Sequence, residues 1–142
     1  MVEQGEWKKW RLPKEAEWEA AVGKLKYPWG DYFPPKKEDG NYAIMADGKD
    51  DSAKVGVDGV KGTAPVGSFR ANALGFFDLG GNADEMMLDG YDEKNPNATR
   101  PLWGGSWVSW AGGCSVVYRG RLKPSNSSSV SSGFRVALSS VR

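Results

Sequence analysis

The chain has 142 residues, a formal net charge of +1, no His and one Cys, with 39% hydrophobic residues and a mean hydropathy of -0.55. Without imidazole there is no Ser-His or Cys-His pair and no His metal ligand, and one thiol makes neither an internal disulfide nor a thiolate zinc cage. Mixed charges near neutrality give no electrostatic footprint for nucleic acid, and no apolar run reaches the roughly 20 residues that cross a bilayer.

The length fits one domain, 1–142, that buries about two-thirds of its unfolded surface. Seven Trp, five Tyr and five Phe supply the apolar area for a core. Met1 to Arg11 is polar and Trp-bearing rather than signal-like, and the single thiol gives no compartment.

In chain order, Leu12-Pro13 and Lys14 to Val22 predict a short helix. Proline suits its first turn, Glu15 and Glu17 complement its positive end, and Gly23 can end it. Trp18, Ala21 and Val22 share one face at helical spacing, which is expected to dock on a sheet. Residues 27–61 are rich in Pro, Gly and Asp and read as a long irregular region, in which Trp29, Tyr32, Phe33 and Tyr42 argue for packing. Ala64 to Phe69 reads as a strand, and so do the alternating runs Glu85 to Tyr91, Cys114 to Arg119 and Phe134 to Leu138. Asp47 to Asp51 lacks the Gly and Glu offsets of a helix-flanked calcium loop, and Gly80-Gly81-Asn82 lacks the Lys-Ser/Thr of a phosphate cradle.

Residues 102–142 are the most informative. Two frames, Trp103-Gly104-Gly105-Ser106-Trp107 and Gly133-Phe134-Arg135-Val136, enclose a permissive stretch whose low-complexity part is Ser125 to Ser132. Arg119, Arg121 and Arg135 are candidates for an anionic ligand, with Arg135 also suited to pairing with a buried acidic side chain.

Read in order, Arg11-Leu12-Pro13-Lys14-Glu15-Ala16-Glu17-Trp18-Glu19, Tyr27-Pro28-Trp29-Gly30-Asp31, Gly62-Thr63-Ala64-Pro65-Val66-Gly67-Ser68-Phe69, Leu74-Gly75-Phe76-Phe77-Asp78-Leu79, Gly81-Asn82-Ala83, Gly104-Gly105-Ser106-Trp107 and Gly133-Phe134-Arg135 resemble the formylglycine-generating enzyme (sulfatase-modifying factor) family. The resemblance runs from about Trp10 to Val136 and implies an α+β, loop-rich variant of the C-type lectin fold with short strands and few helices. The family's enzymes oxidise a sulfatase cysteine with a copper-binding cysteine pair. Cys114 matches the second cysteine, but Ser109 stands at the first, so neither copper nor oxidase activity is expected.

The resemblance also implies two structural calcium sites. Asn41 and Asp58 with the carbonyls of Tyr42 and Val60 match one, and Glu85 with the carbonyls of Asp78, Gly81 and Ala83 match the other. The same residue types serve equally well in turns and caps.

The variable proteins of diversity-generating retroelements share this fold, and the chain looks like them in its shortness, its missing cysteine and its permissive C-terminal segment. Their diversification randomises template adenines, which turns an AAY codon into many residues but never Trp, Lys, Gln, Glu or Met. Val108, Ser109, Gly112, Gly113, Ser115, Tyr118, Gly120, Leu122, Ser127, Ser128, Ser129 and Val130 fall in the allowed set, whereas Trp107, Trp110 and Lys123 do not. The expectation is a non-catalytic display protein whose segment 103–134 meets a protein or other surface ligand, with Trp110, Tyr118 and Leu122 as anchors. A divergent sulfatase-modifying enzyme and a recognition domain of fixed specificity are the alternatives. No heptad or apolar stripe specifies an oligomeric state.

Overall fold

A computed structural model describes residues 10–33, 35–40, 59–92, 94–95, 99–122 and 129–139. Its elements are β1 (Trp10–Arg11), α1 (Glu15–Val22), β2 (Asp84–Met86), β3 (Arg100–Trp103), a 3-10 turn (Ala111–Cys114), β4 (Gly120–Leu122), β5 (Ser132–Gly133) and β6 (Ala137–Leu138). This is the α+β, loop-rich architecture that the resemblance implies. No helix among the described residues is long and apolar enough to cross a membrane.

α1 begins after Lys14, which keeps an extended backbone (φ -79°, ψ 155°), so Pro13 precedes the cap instead of occupying the expected first turn. Two amides at its start are met by carboxylates, one within the helix and one outside it. The Glu17 carboxylate accepts the Lys14 N–H (2.8 Å), and the Asp89 carboxylate accepts the Glu15 N–H (2.7 Å). Arg11 closes the same corner by donating to both Glu17 oxygens (2.6 and 2.7 Å). Gly23, at φ 83°, ends the helix as predicted.

The main sheet has the order β4-β3-β2-β5, with β3 antiparallel to both β2 and β4 and with β5 parallel to β2. The register sets Glu85 opposite Trp103, Leu102 opposite Gly120 and Asp84 opposite Ser132. The exit of β3 and the entries of β2, β4 and β5 therefore lie at one end of the sheet. A ribbon of β1 and β6 joins the two ends of the chain separately, Trp10 opposite Leu138.

The predicted helical face is the one that docks: Trp18 and Val22 are buried with Leu79, Met87 and Trp103, and Ala21 packs against them. The Trp18 and Trp103 rings lie 5.1 Å apart at 40°. Each reaches across to a carboxylate of the opposite layer. Trp18 Nε1 donates to Glu85 of β2 (2.9 Å), and Trp103 Nε1 donates to Glu15 of α1 (2.7 Å). Each carboxylate then takes an arginine, Arg135 on Glu85 and Arg119 on Glu15 (2.6 Å at both oxygens). Gly104 (φ 89°) lets β3 leave this core, since a Cβ there would stand 2.6 Å from the Leu79 carbonyl oxygen.

The strand expectations fare less well. Ala64 to Phe69 folds as turns, with the Ser68 N–H on the Pro65 carbonyl (3.3 Å). The run from Glu85 keeps strand geometry only to Met86, and Cys114 to Arg119 is a turn entering β4. Phe134 lies between β5 and β6 and is 70% exposed, so the second frame is held through Arg135 rather than through its Phe. Arg135 pairs with the buried Glu85, the blander of its two predicted roles.

Removing one partner of a buried charge pair leaves the other uncompensated. Glu85→Ala is therefore expected to cost about 3–5 kcal/mol in denaturant unfolding. Glu15→Ala should cost less, because its carboxylate and Arg119 are more exposed. Equal losses would show that burial does not set the ranking.

Candidate ligand-display surface

The convergent end of the sheet carries most of the predicted binding residues. Among them Val108, Trp110, Tyr118 and Val130 are exposed, while Ser109, Ser115, Leu122 and Ser129 are half-buried. Ser127 and Ser128 lie outside the described residues. Trp110 and Tyr118 form an edge-to-face pair with centroids 6.3 Å apart. Val117, 82% exposed in the turn before β4, is a surface residue that alternation assigned to a strand face and left out of the binding set.

Three glycines of the predicted set do not present themselves to solvent in the same way. Gly113 is buried, and Gly120 sits in β4 where a Cβ would press on Leu102 at 3.3 Å. Gly112 is half-buried beneath the Trp110 ring. At Gly112 and Gly120 small size is a packing requirement that composition alone presents as permissiveness.

Beneath the surface lie Ser109 and Cys114, the positions expected to match the family's cysteine pair. Ser109 Oγ accepts the Ser106 N–H (2.8 Å) and lies 3.2 Å from Ser106 Oγ, so its hydroxyl closes a turn. Cys114 is fully buried, close enough that a Cβ on Gly105 (φ 67°) would stand 3.0 Å from Sγ. Burial, followed by the charge of Asp84, pushes the thiol up to about 12, so it is protonated at neutral pH and a poor nucleophile or metal ligand. Burial also raises the Asp84 carboxyl to about 6, against the opposing hydrogen bond from Ser106.

For the calcium sets, Asn41, Tyr42 and Asp58 lie outside the described residues, and Val60 is half-buried. Asp78, Gly81, Ala83 and Glu85 do come together in one loop and the strand it enters. Yet the Glu85 oxygens take Trp18 and Arg135, and Arg135 also donates to the carbonyls of Phe77 (3.0 Å) and Asp78 (3.2 Å). A guanidinium thus engages two of the four expected ligands. Asp78 supplies a different oxygen: Oδ2 accepts the Gly67 N–H (2.6 Å), while Oδ1 is buried with no hydrogen-bond partner among the described residues. Asp78 holds a left-handed backbone at φ 52°.

Asp84 gives a pH dependence of definite sign. Its folded-state pKa, about 6, lies above the ordinary 3.8, so the folded state favours the protonated acid. Its contribution is most favourable below the unfolded value and is lost as pH rises through 6. In calcium-free buffer Asp84→Asn should add up to about 3 kcal/mol at pH 8 and little at pH 4. Parallel stability curves for the two proteins between these pH values would refute the assignment.

The chain matches the sulfatase-modifying factor enzyme 1-like domain over residues 3–140. It is 37% identical to the inactive C-alpha-formylglycine-generating enzyme 2 of Mus musculus, over 96% of this chain and 45% of that protein. With the formylglycine-generating enzyme of Streptomyces coelicolor it shares 36% identity, over 92% and 47% of the two chains. Among solved structures it is similar to the Treponema denticola variable protein 1, with a TM-score of 0.70 and 26% identity over 91% of this chain and 47% of that one. The chain thus spans about half the length of these proteins. With the match covering nearly all of its residues, the chain belongs to the sulfatase-modifying factor (formylglycine-generating enzyme) family.

Proposed function

We propose that the chain is a non-catalytic ligand-display domain, diversified by a retroelement, that meets a protein or other surface ligand through residues 103–134. One observation carries this reading. The exit of β3 and the entries of β4 and β5 share one end of the sheet, so residues far apart in the segment meet on one surface. Arg119 and Arg135 tie that surface to Glu15 and Glu85, which lie outside the segment. Residues between the two arginines can then change without altering either anchor. The likeness to the Treponema denticola variable protein and the inactive name carried by a relative support the same reading.

The oxidase alternative meets two obstacles, Ser109 in place of a thiol and a Cys114 held protonated by burial. A near-neutral charge argues against a nucleic-acid ligand. In the genome, a near-copy of the codons for 103–134 beside a reverse-transcriptase gene, differing only at adenines of the copy, is expected. An invariant locus without such a copy would remove the retroelement from the proposal.

The same reading predicts which side chains are dispensable for stability. Trp110→Ala, Val117→Ala and Tyr118→Ala should each change unfolding free energy by no more than about 0.5 kcal/mol, as exposed positions do. Leu122→Ala, half-buried in β4, should cost about 1–2 kcal/mol. Chemical denaturation distinguishes the two groups, and a large loss at Trp110 or Tyr118 would make them core.

A structural calcium ion at the 78–85 loop belongs to the proposal, supported by the orphaned Asp78 Oδ1. Such an ion would be held chiefly by the Asp78 carboxylate and would neutralise it there. Millimolar calcium should raise the melting temperature by a few degrees, and Asp78→Asn should remove that part of the shift. Identical melting of the native chain in calcium and in chelator would exclude the ion.

A further inference from the structure

Gly112 occupies the middle of the 3-10 turn, and its backbone is outside the left-handed region, so the chain conformation there suits any L-residue. What forbids a side chain is the indole of Trp110. A Cβ at position 112 would overlap Trp110 Cζ3 and Cη2 and stand 2.9 Å from Cε3. Gly113 is different: a Cβ there would meet Trp110 Cδ1 and Nε1, and Ser109 Cβ, at an ordinary 3.5 Å.

The obstacle at 112 is the far end of a side chain that is 53% exposed. Such a ring can leave by rotating about its two side-chain torsions without disturbing the core. Its departure has one structural consequence at the surface. Trp110 meets Tyr118 edge to face at 6.3 Å and 74°, and a rotated indole would give up that contact.

We infer that residue 112 sets the pose of Trp110 and thereby chooses between two ligand-binding surfaces. This deepens the display reading proposed above and rests on it. With glycine, the indole lies against the turn and meets Tyr118 edge to face, so the two rings together form the apolar surface offered to a protein partner. With alanine or anything larger, the indole is lifted and becomes a projecting anchor, suited to a partner with a pocket. Position 112 is thus a specificity-determining residue that need not touch the ligand. Its neighbour Gly113 lacks this leverage.

The test uses the free full chain, so it succeeds or fails independently of any ligand. In NMR spectra assigned with Trp110→Phe, the native protein should show proton contacts from the Trp110 ring to Gly112 and to Tyr118. Gly112→Ala and Gly112→Ser should lose the Trp110 to Tyr118 contact while melting within a few degrees of the native chain. The double variant G112A/W110A should melt as W110A does, since the ring is the obstacle being removed. Persistence of the Trp110 to Tyr118 contact in Gly112→Ala would overturn the inference. So would a collapse in melting temperature that Trp110→Ala does not relieve. The display reading itself fails on other results, namely an invariant locus or a core role for Trp110.

Discussion

Two reciprocal interactions between α1 and the sheet hold the described fold together. A tryptophan from each layer donates to a carboxylate of the other, Trp18 to Glu85 and Trp103 to Glu15, and each carboxylate is completed by an arginine. The rings that make the donations also pack on each other, so one contact supplies apolar burial and fixes the polar partners. Burial pushes the Glu85 carboxyl up, while Arg135 and Trp18 pull the other way. The arrangement is worth less as net stability than as geometry. A charge desolvated this far tolerates only one position for its partners.

That geometry explains how a permissive segment is compatible with a fixed fold. Arg119, inside the segment and before β4, and Arg135, just past its end, each pair with a carboxylate set by α1 or β2. Arg119 is further held by the carbonyls of Gly90 and Tyr91 (3.2 and 2.8 Å) and lies over the Tyr91 ring. The residues between the two arginines inherit their end positions. Lengthening or recomposing such a loop costs only slowly growing closure entropy once its ends are fixed.

How far the sequence could be read follows from the range of each interaction. The limits of α1 and its buried face were legible because capping, the stop at Gly23 and helical periodicity act within a few residues. The frame at Trp103 to Ser106 was legible because β3 and the chain beyond it are buried without interruption. The alternation from Cys114 to Tyr118 misled, since the turn at 111–114 rotates the chain and Val117 emerges to solvent. The polar logic was legible in part, since Arg135 was expected to meet a buried acidic side chain but its partner was not identified. Arg135 and Glu85 are 50 residues apart, and nothing local says that a guanidinium engages the oxygens proposed for a cation.

Ser109 and Cys114 are both built into the packing beneath the exposed Trp110. At 109 a serine hydroxyl closes a turn onto Ser106, which anchors the first part of the segment just below the exposed Trp110. Cys114, packed under Gly105, is fully buried and fills space as a small apolar side chain. A reactive cysteine needs an exposed and electropositive setting, whereas a fixed turn needs a buried and neutral one. The two demands conflict at one position in the fold. A buried, protonated thiol and a hydroxyl-closed turn thus lie directly beneath the exposed Trp110.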